Sequence, residues 1–133
     1  RFGWEFNGMR LHELYFGNMS QAGIPLPADS SLMQNIIRVG GARESWEKDF
    51  RAVGAMRGIG WATLYFDPES RELFNVWVNE HDMGHLAGAT PLLVLDVFEH
   101  AYMLDYGLKK ADYIEAFFRA IDWNEAAKRF SGR

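Results

Sequence analysis

A continuous apolar run that ends in a carboxylate places the strongest constraint on how this chain can fold. The run Pro91-Leu92-Leu93-Val94-Leu95 leads directly into Asp96, and His100 lies four positions further along. An apolar run of this length without polar alternation is typical of a buried strand. Four-residue spacing lets the two polar side chains converge, and carboxylate with imidazole suits iron, manganese and zinc. The pair predicts a metal site, although by spacing alone such a pair is more often a surface pair.

The composition excludes several other kinds of site. The 133 residues include no cysteine, so structural disulfides and thiolate metal sites are excluded and His, Asp and Glu remain as ligands. A net charge of -4 without a long basic run makes nucleic acid an unexpected partner. No apolar stretch approaches the roughly 20 residues of a membrane span, and the N-terminal residues do not form a signal peptide. The sequence is therefore compatible with a soluble protein of the cytoplasm, without a membrane partner.

Hydrophobic periodicity predicts helices, then a small sheet, then helices, which is an α+β arrangement. A buried helical face over residues 4–19 includes His12 or has it at its edge. Two prolines and a glycine in residues 21–30 predict a loop, and Asp67-Pro68-Glu69-Ser70 has the composition of a hairpin turn. The predicted elements are helices to about residue 39, over 45–56, after 100 and from 123, and strands over 61–66, 73–78 and about 92–96.

The string from Asp96 to Gly107, continued by Ala111-Asp112-Tyr113-Ile114, resembles the C-terminal signature of the iron/manganese superoxide dismutases. Gly58-Ile59-Gly60-Trp61 and Asp122-Trp123-Asn124 resemble two further segments of that family. The resemblance implies a small three-stranded antiparallel sheet surrounded by helices. It implies that residues 1–28 are the remnant of an N-terminal helical hairpin domain, whose first helix lies upstream, and that residues 29–133 form a C-terminal α+β metal-binding domain.

The resemblance also implies the metal ligands. The aspartate ligand falls on Asp96, the last histidine ligand on His100, and a ligand from the second hairpin helix on His12. The family's usual Asn before that histidine is Leu11 here, and its usual Trp four positions later is Phe16. The fourth ligand belongs to the first hairpin helix, so it is expected upstream of the residues given.

Other positions are implied to surround the site. His81 falls where most members have a Gln that hydrogen-bonds the solvent on the metal, and we predict that it is catalytic and alters the preference between iron and manganese. Trp61 resembles an aromatic wall of the site, Glu99 a residue that reaches across a dimer interface, and Tyr102 is retained. His85 lies four residues after His81, but glycines nearby favour a loop in which His85 faces solvent.

The leading interpretation is a superoxide dismutase that converts superoxide to dioxygen and hydrogen peroxide with one iron or manganese ion per chain, as a homodimer or homotetramer. One alternative is a mononuclear non-haem iron enzyme that uses His12, Asp96 and His100 as a two-histidine, one-carboxylate site. The other is an incomplete fragment or pseudo-enzyme that acts only in dimerisation, because three protein ligands are present where the family has four.

Overall fold

The computed structural model describes residues 1–107 and 109–132, apart from the side chain of Leu104. Helices precede and follow a three-stranded sheet, so the predicted α+β class is confirmed. In chain order the elements are α1 Phe2–Gly17, α2 Ser31–Gly40, α3 Arg43–Gly54, β1 Gly60–Asp67, β2 Glu72–Asn79, β3 Thr90–Asp96, a 3-10 turn Glu99–Ala101, α4 Met103–Tyr106, α5 Lys110–Ala120 and α6 Trp123–Ser131.

Local sequence signals set the ends of the helices that surround the sheet. The Ser30 hydroxyl accepts the Met33 N–H at the start of α2, and the Asp122 carboxylate accepts the Asn124 and Glu125 N–H groups at the start of α6. Both are the N-cap interactions that Ser and Asp favour. Gly41 follows the last residue of α2 and caps the helix, and its φ of 87° lies in the left-handed region where glycine is favoured.

The sheet has the order β2-β1-β3, and β1 is antiparallel to both neighbours. The turn between β1 and β2 is stabilised by the Asp67 carboxylate, which accepts hydrogen bonds from the Glu69 and Ser70 backbone. The register pairs Trp61 of β1 with Asp96 of β3. Since strands β1 and β3 are almost wholly buried, Asp96 ends a strand inside the core, as the apolar run predicted.

Among the described residues, no strand pairs with the outer edge of β3, and side chains satisfy its backbone there instead. Asn18, which ends α1, accepts the Val94 N–H at 2.7 Å and donates to the Val94 carbonyl at 3.2 Å. The Arg129 guanidinium of α6 donates to the Leu92 carbonyl at 3.2 Å and to the Asn18 side-chain oxygen at 3.1 Å. Because buried backbone groups need partners, these contacts hold α1 and α6 against β3.

Helix α1 is covered on one face only. Leu11 and Tyr15 are buried against the rest of the molecule. The other side of the helix exposes large apolar side chains, with Phe2 82% exposed and Phe16 66% exposed, together with Phe6 and Met9. Among the described residues, no helix is long and apolar enough to span a membrane, and the cytoplasmic location stays a prediction.

Candidate metal centre

Three predicted ligands from separate elements meet at one point. His12 lies on α1, Asp96 ends β3, and His100 lies in the 3-10 turn that follows. The Nε2 atom of His100 is 3.0 Å from the Asp96 Oδ2 atom, and the Nε2 atom of His12 is 3.6 Å from it. One potential ligand atom from each residue lies within 4.8 Å of the others. The structure therefore brings together residues that are 84 and 4 positions apart in the sequence, counted from His12 to Asp96 to His100.

Asp96 is the buried centre of this cluster, at only 2% exposure. The Phe98 N–H donates to its Oδ1 atom at 2.9 Å, which leaves Oδ2 directed at the two histidines. Burial raises the pKa of the Asp96 carboxyl, while the Phe98 N–H and the charge of His100 act in the opposite direction. A carboxylate removed from water in this way needs cationic partners, and a metal ion would supply one.

The tautomer of His12 leaves its inward nitrogen available for a metal. Its Nδ1 atom lies 2.7 Å from the Gly8 carbonyl oxygen, one helical turn earlier. A carbonyl only accepts hydrogen bonds, so Nδ1 carries the proton and the lone pair lies on Nε2, the atom that faces Asp96. Metal-binding histidines commonly have their second nitrogen bonded in this way.

His100 is the exposed member of the cluster. Its side chain is 60% exposed, and its ring is edge-on to the ring of His12 at 5.8 Å between centroids. Its Nε2 atom is occupied by the contact with Asp96. Among the residues that the structure describes, none bonds to the other ring nitrogen, so Nδ1 of His100 remains open to a further partner.

His81 lies beside the cluster but does not belong to it. Its ring centroid is 6.3 Å from that of His12, and the ring stacks on Phe98 at 5.0 Å. The indole N–H of Trp61 donates to His81 Nδ1 at 3.1 Å, so in the neutral ring the proton is on Nε2. Burial lowers the pKa of the His81 imidazole, which favours that neutral form.

Gly8 is a residue near the site that the sequence analysis missed. A Cβ atom at position 8 would lie 3.1 Å from Cδ2 and 3.3 Å from Nε2 of His81. Its carbonyl is also the partner of His12 Nδ1. A glycine inside a helix costs about 0.5–1 kcal/mol relative to alanine, and a glycine four residues before a candidate ligand was the available signal. Its absent side chain admits the His81 ring.

His85 differs from the expectation that it faces solvent. It is half-buried, and both ring nitrogens are engaged. Its Nε2 atom donates to the His81 carbonyl at 2.8 Å, so Nδ1 is the acceptor of the Tyr65 hydroxyl at 2.5 Å. These two bonds fix the loop that carries His81 against β1.

The remaining predicted positions divide into an inner and an outer group. Trp61 is fully buried, and its ring is edge-on to His12 at 4.9 Å, which agrees with an aromatic wall. Glu99 is exposed and Tyr102 half-buried, and both line a cleft whose described lining includes none of the three candidate ligands. In the part of the chain that the structure describes, neither the Glu99 nor the Tyr102 side chain forms a hydrogen bond with a candidate ligand.

The donors at the centre fit an iron or manganese ion. Two imidazole nitrogens and one carboxylate oxygen converge, and no thiolate is present to favour a softer metal. The buried charge of Asp96 and the protonated Nδ1 of His12 agree with such a group. Three protein donors leave further coordination positions open.

The family model and the relatives that match this chain are those of superoxide dismutases. The family model for iron/manganese superoxide dismutases, C-terminal domain, matches residues 28–129. A superoxide dismutase of Haloferax volcanii named for manganese is 42% identical over 124 residues, which cover 93% of this chain and 61% of that protein. One of Cupriavidus metallidurans named for iron is 41% identical over 128 residues, covering 94% and 62%. One of Sulfolobus acidocaldarius, also named for iron, is 34% identical over 128 residues, covering 95% and 61%. The chain spans about three-fifths of the length of these relatives.

Proposed function

Because this chain belongs to the iron/manganese superoxide dismutase family, we propose that the natural polypeptide containing it converts superoxide to dioxygen and hydrogen peroxide. The observation that carries the proposal is the convergence of His12, Asp96 and His100 around one buried carboxylate oxygen. We assign these three residues as ligands of a single iron or manganese ion. Such an ion supplies the one-electron oxidation and reduction that the reaction requires.

The side chains at the centre have distinct tasks. Asp96 contributes a negative charge that water does not screen, which favours the more highly charged state of a redox metal. The Gly8 carbonyl orients His12 through Nδ1. The overall reaction takes up two protons for each pair of superoxide ions, and His81 Nε2 is a neutral N–H donor beside the site, held by Trp61. We propose that His81 orders protic groups there and tunes metal preference.

A further helix completes the site in this proposal. The bare face of α1 exposes Phe2, Phe6 and Phe16, which is unusual for a helix whose other face is in the core. A helix packed on this face would form a hairpin with α1 and bring the fourth ligand to the metal. Residues 1–28 would then be the second half of an N-terminal helical hairpin domain, and residues 29–133 the C-terminal domain.

A second copy of the chain is the proposed partner of the exposed side of the site. His100 has an open Nδ1, and Glu99 beside it is exposed. In a two-fold dimer Glu99 of one copy can accept the Nδ1 proton of His100 in the other, which orients that ligand. A homodimer provides a partner for both groups, and a homotetramer made of two such dimers contains two of these interfaces.

The three-donor set also matches the two-histidine, one-carboxylate sites of non-haem iron enzymes. That second candidate predicts metal binding without superoxide-specific activity. The pseudo-enzyme alternative predicts dimerisation with neither.

The proposal is tested with the complete natural polypeptide and its Asp96→Asn variant. The variant keeps the shape of the side chain and removes its charge. We expect near one iron or manganese per chain in the parent, with superoxide-specific activity, and a loss of metal affinity and activity of more than about 100-fold in the variant. Asp105→Asn, which changes an exposed carboxylate, is the matched control and should leave both unchanged.

Retention of full metal affinity by Asp96→Asn would contradict the assignment of this residue. A parent that binds metal but does not act on superoxide would favour the non-haem iron alternative.

A further inference from the structure

A pair of buried tyrosines holds the backbone of Asp96 from outside the sheet. The Tyr113 hydroxyl of α5 donates to the Asp96 carbonyl oxygen at 2.5 Å, and the Tyr15 hydroxyl of α1 lies 2.8 Å from the Tyr113 hydroxyl. The carbonyl cannot donate, so the single Tyr113 proton lies in the bond to Asp96. The Tyr15 hydroxyl must therefore donate to the Tyr113 oxygen. The result is a directed chain from Tyr15 through Tyr113 to Asp96.

Both tyrosines are in the core and remain neutral. Tyr113 is 5% exposed and Tyr15 is 8% exposed. Burial raises the pKa of both hydroxyls above the ordinary value, so both keep the protons that the chain of hydrogen bonds requires. Phenylalanine would fill the same space, so packing alone does not account for two hydroxyls directed at one carbonyl.

The position of Tyr15 connects the two halves of the metal centre. Tyr15 lies three residues after His12 on the same helix, on the side that faces the sheet. The hydrogen-bonded chain thus begins on the helix that carries His12 and ends on the residue that supplies the carboxylate. The candidate ligand atoms of these two residues are 3.6 Å apart.

We propose that Tyr113, supported by Tyr15, is a positioning residue that fixes Asp96 relative to His12 and so sets the metal affinity of the site. The proposal rests on the proposed function, since it assumes that Asp96 and His12 bind the metal. It assigns to the two hydroxyls a role that the family resemblance did not indicate. The role is exerted through the backbone, because neither tyrosine bonds to a candidate ligand atom.

The experiment measures Mn²⁺ affinity and the visible spectrum of bound Co²⁺ in the complete natural polypeptide and its variants. Tyr113→Phe keeps the ring and removes the donor to Asp96, and we expect about tenfold weaker Mn²⁺ binding and a shifted Co²⁺ spectrum. Tyr15→Phe keeps that donor but removes its support, and we expect a smaller loss, about threefold. Tyr106→Phe is the control: its ring packs on Tyr113 at 5.9 Å, and the variant leaves the bond to Asp96 in place. It should change neither reading.

Thermal unfolding of each metal-free variant separates a local effect from a general loss of structure. An unchanged affinity and spectrum in Tyr113→Phe, in a parent that binds Mn²⁺, would overturn the inference and leave the proposed function standing. A parent that binds neither Mn²⁺ nor Fe²⁺ would overturn both, and in a parent that binds only Fe²⁺ the same comparison of affinities decides the inference. If Tyr113→Phe does not fold, Tyr15→Phe decides: weaker binding with a shifted spectrum supports the inference, and parental values overturn it.

Discussion

Strand β3 and helix α1 each carry a candidate ligand, but only the strand is complete within this chain. The outer edge of β3 is satisfied by Asn18, Arg129 and Tyr113, and its faces are in the core. Helix α1 is packed on one side and exposes phenylalanines on the other. Asp96 therefore lies in a part of the molecule that is packed on all sides, whereas His12 lies on a helix with an uncovered face.

A large loss of stability should come from Asn18→Ala. The change removes the partners of the Val94 N–H and carbonyl, two buried groups that no neighbouring strand can satisfy. We expect the free energy of unfolding to fall by about 3 kcal/mol. Chemical denaturation measures this quantity. Asn35→Ala is the control, since the Asn35 side chain bonds to Ser31 and Arg38 of its own helix α2, and should cost less than about 0.5 kcal/mol. Equal losses in the two variants would show that β3 does not depend on its side-chain edge.

Glycine substitutions in α1 should have intermediate effects on protein stability. The effects should have opposite signs at two positions of the helix. Gly8→Ala should destabilise the protein by about 1 kcal/mol, because the new methyl group presses on His81 and outweighs the helical preference of alanine. Gly3→Ala meets no atom within 4 Å and should stabilise it by about 0.5 kcal/mol. Melting temperatures of the two variants measure the difference. A stabilising Gly8→Ala would mean that His81 is not held against α1.

The smallest effect should come from the bare face of α1. In a protein consisting of residues 1–133, Met9→Gln should change the free energy of unfolding by less than about 0.5 kcal/mol, since the two residues have similar helix propensity and Met9 is half-exposed. Leu11→Ala, on the buried face, should cost about 2–5 kcal/mol.

In the complete polypeptide, the same Met9→Gln change tests whether a further helix covers the exposed face of α1. If a further helix covers this face, we expect a cost of more than about 1 kcal/mol there. An equally small effect in both proteins would argue against the hairpin domain.

The sequence predicted the parts of the molecule that local patterns determine. The apolar run before Asp96 identified β3, and turn residues identified the hairpin of β1 and β2, so the α+β class followed. The network at the outer edge of β3 could not be predicted in this way. Asn18 and Val94 are 76 residues apart, and Asn18 and Arg129 are 111 apart, so no periodicity connects them.

The candidate site was likewise predicted only in part from the sequence. His12, Asp96 and His100 were selected by residue type and by family resemblance, and the fold brings them together. The role of Gly8 and the bonds of His85 depend on the close approach of α1 and the His81 loop, a distance that only tertiary packing sets. The sequence around His85 does not indicate that this residue accepts a hydrogen bond from Tyr65.

If His12, Asp96 and His100 bind one redox metal, anomalous X-ray diffraction from crystals of the complete natural polypeptide will locate the ion between them. Data collected at the iron and manganese absorption edges should show one peak per chain, about 2 Å from His12 Nε2, Asp96 Oδ2 and His100 Nε2. A peak that is present between the manganese and iron edges identifies manganese, and a peak that appears only above the iron edge identifies iron. A peak bonded to other residues, or a fully metal-loaded crystal with no peak among these three atoms, would contradict the account.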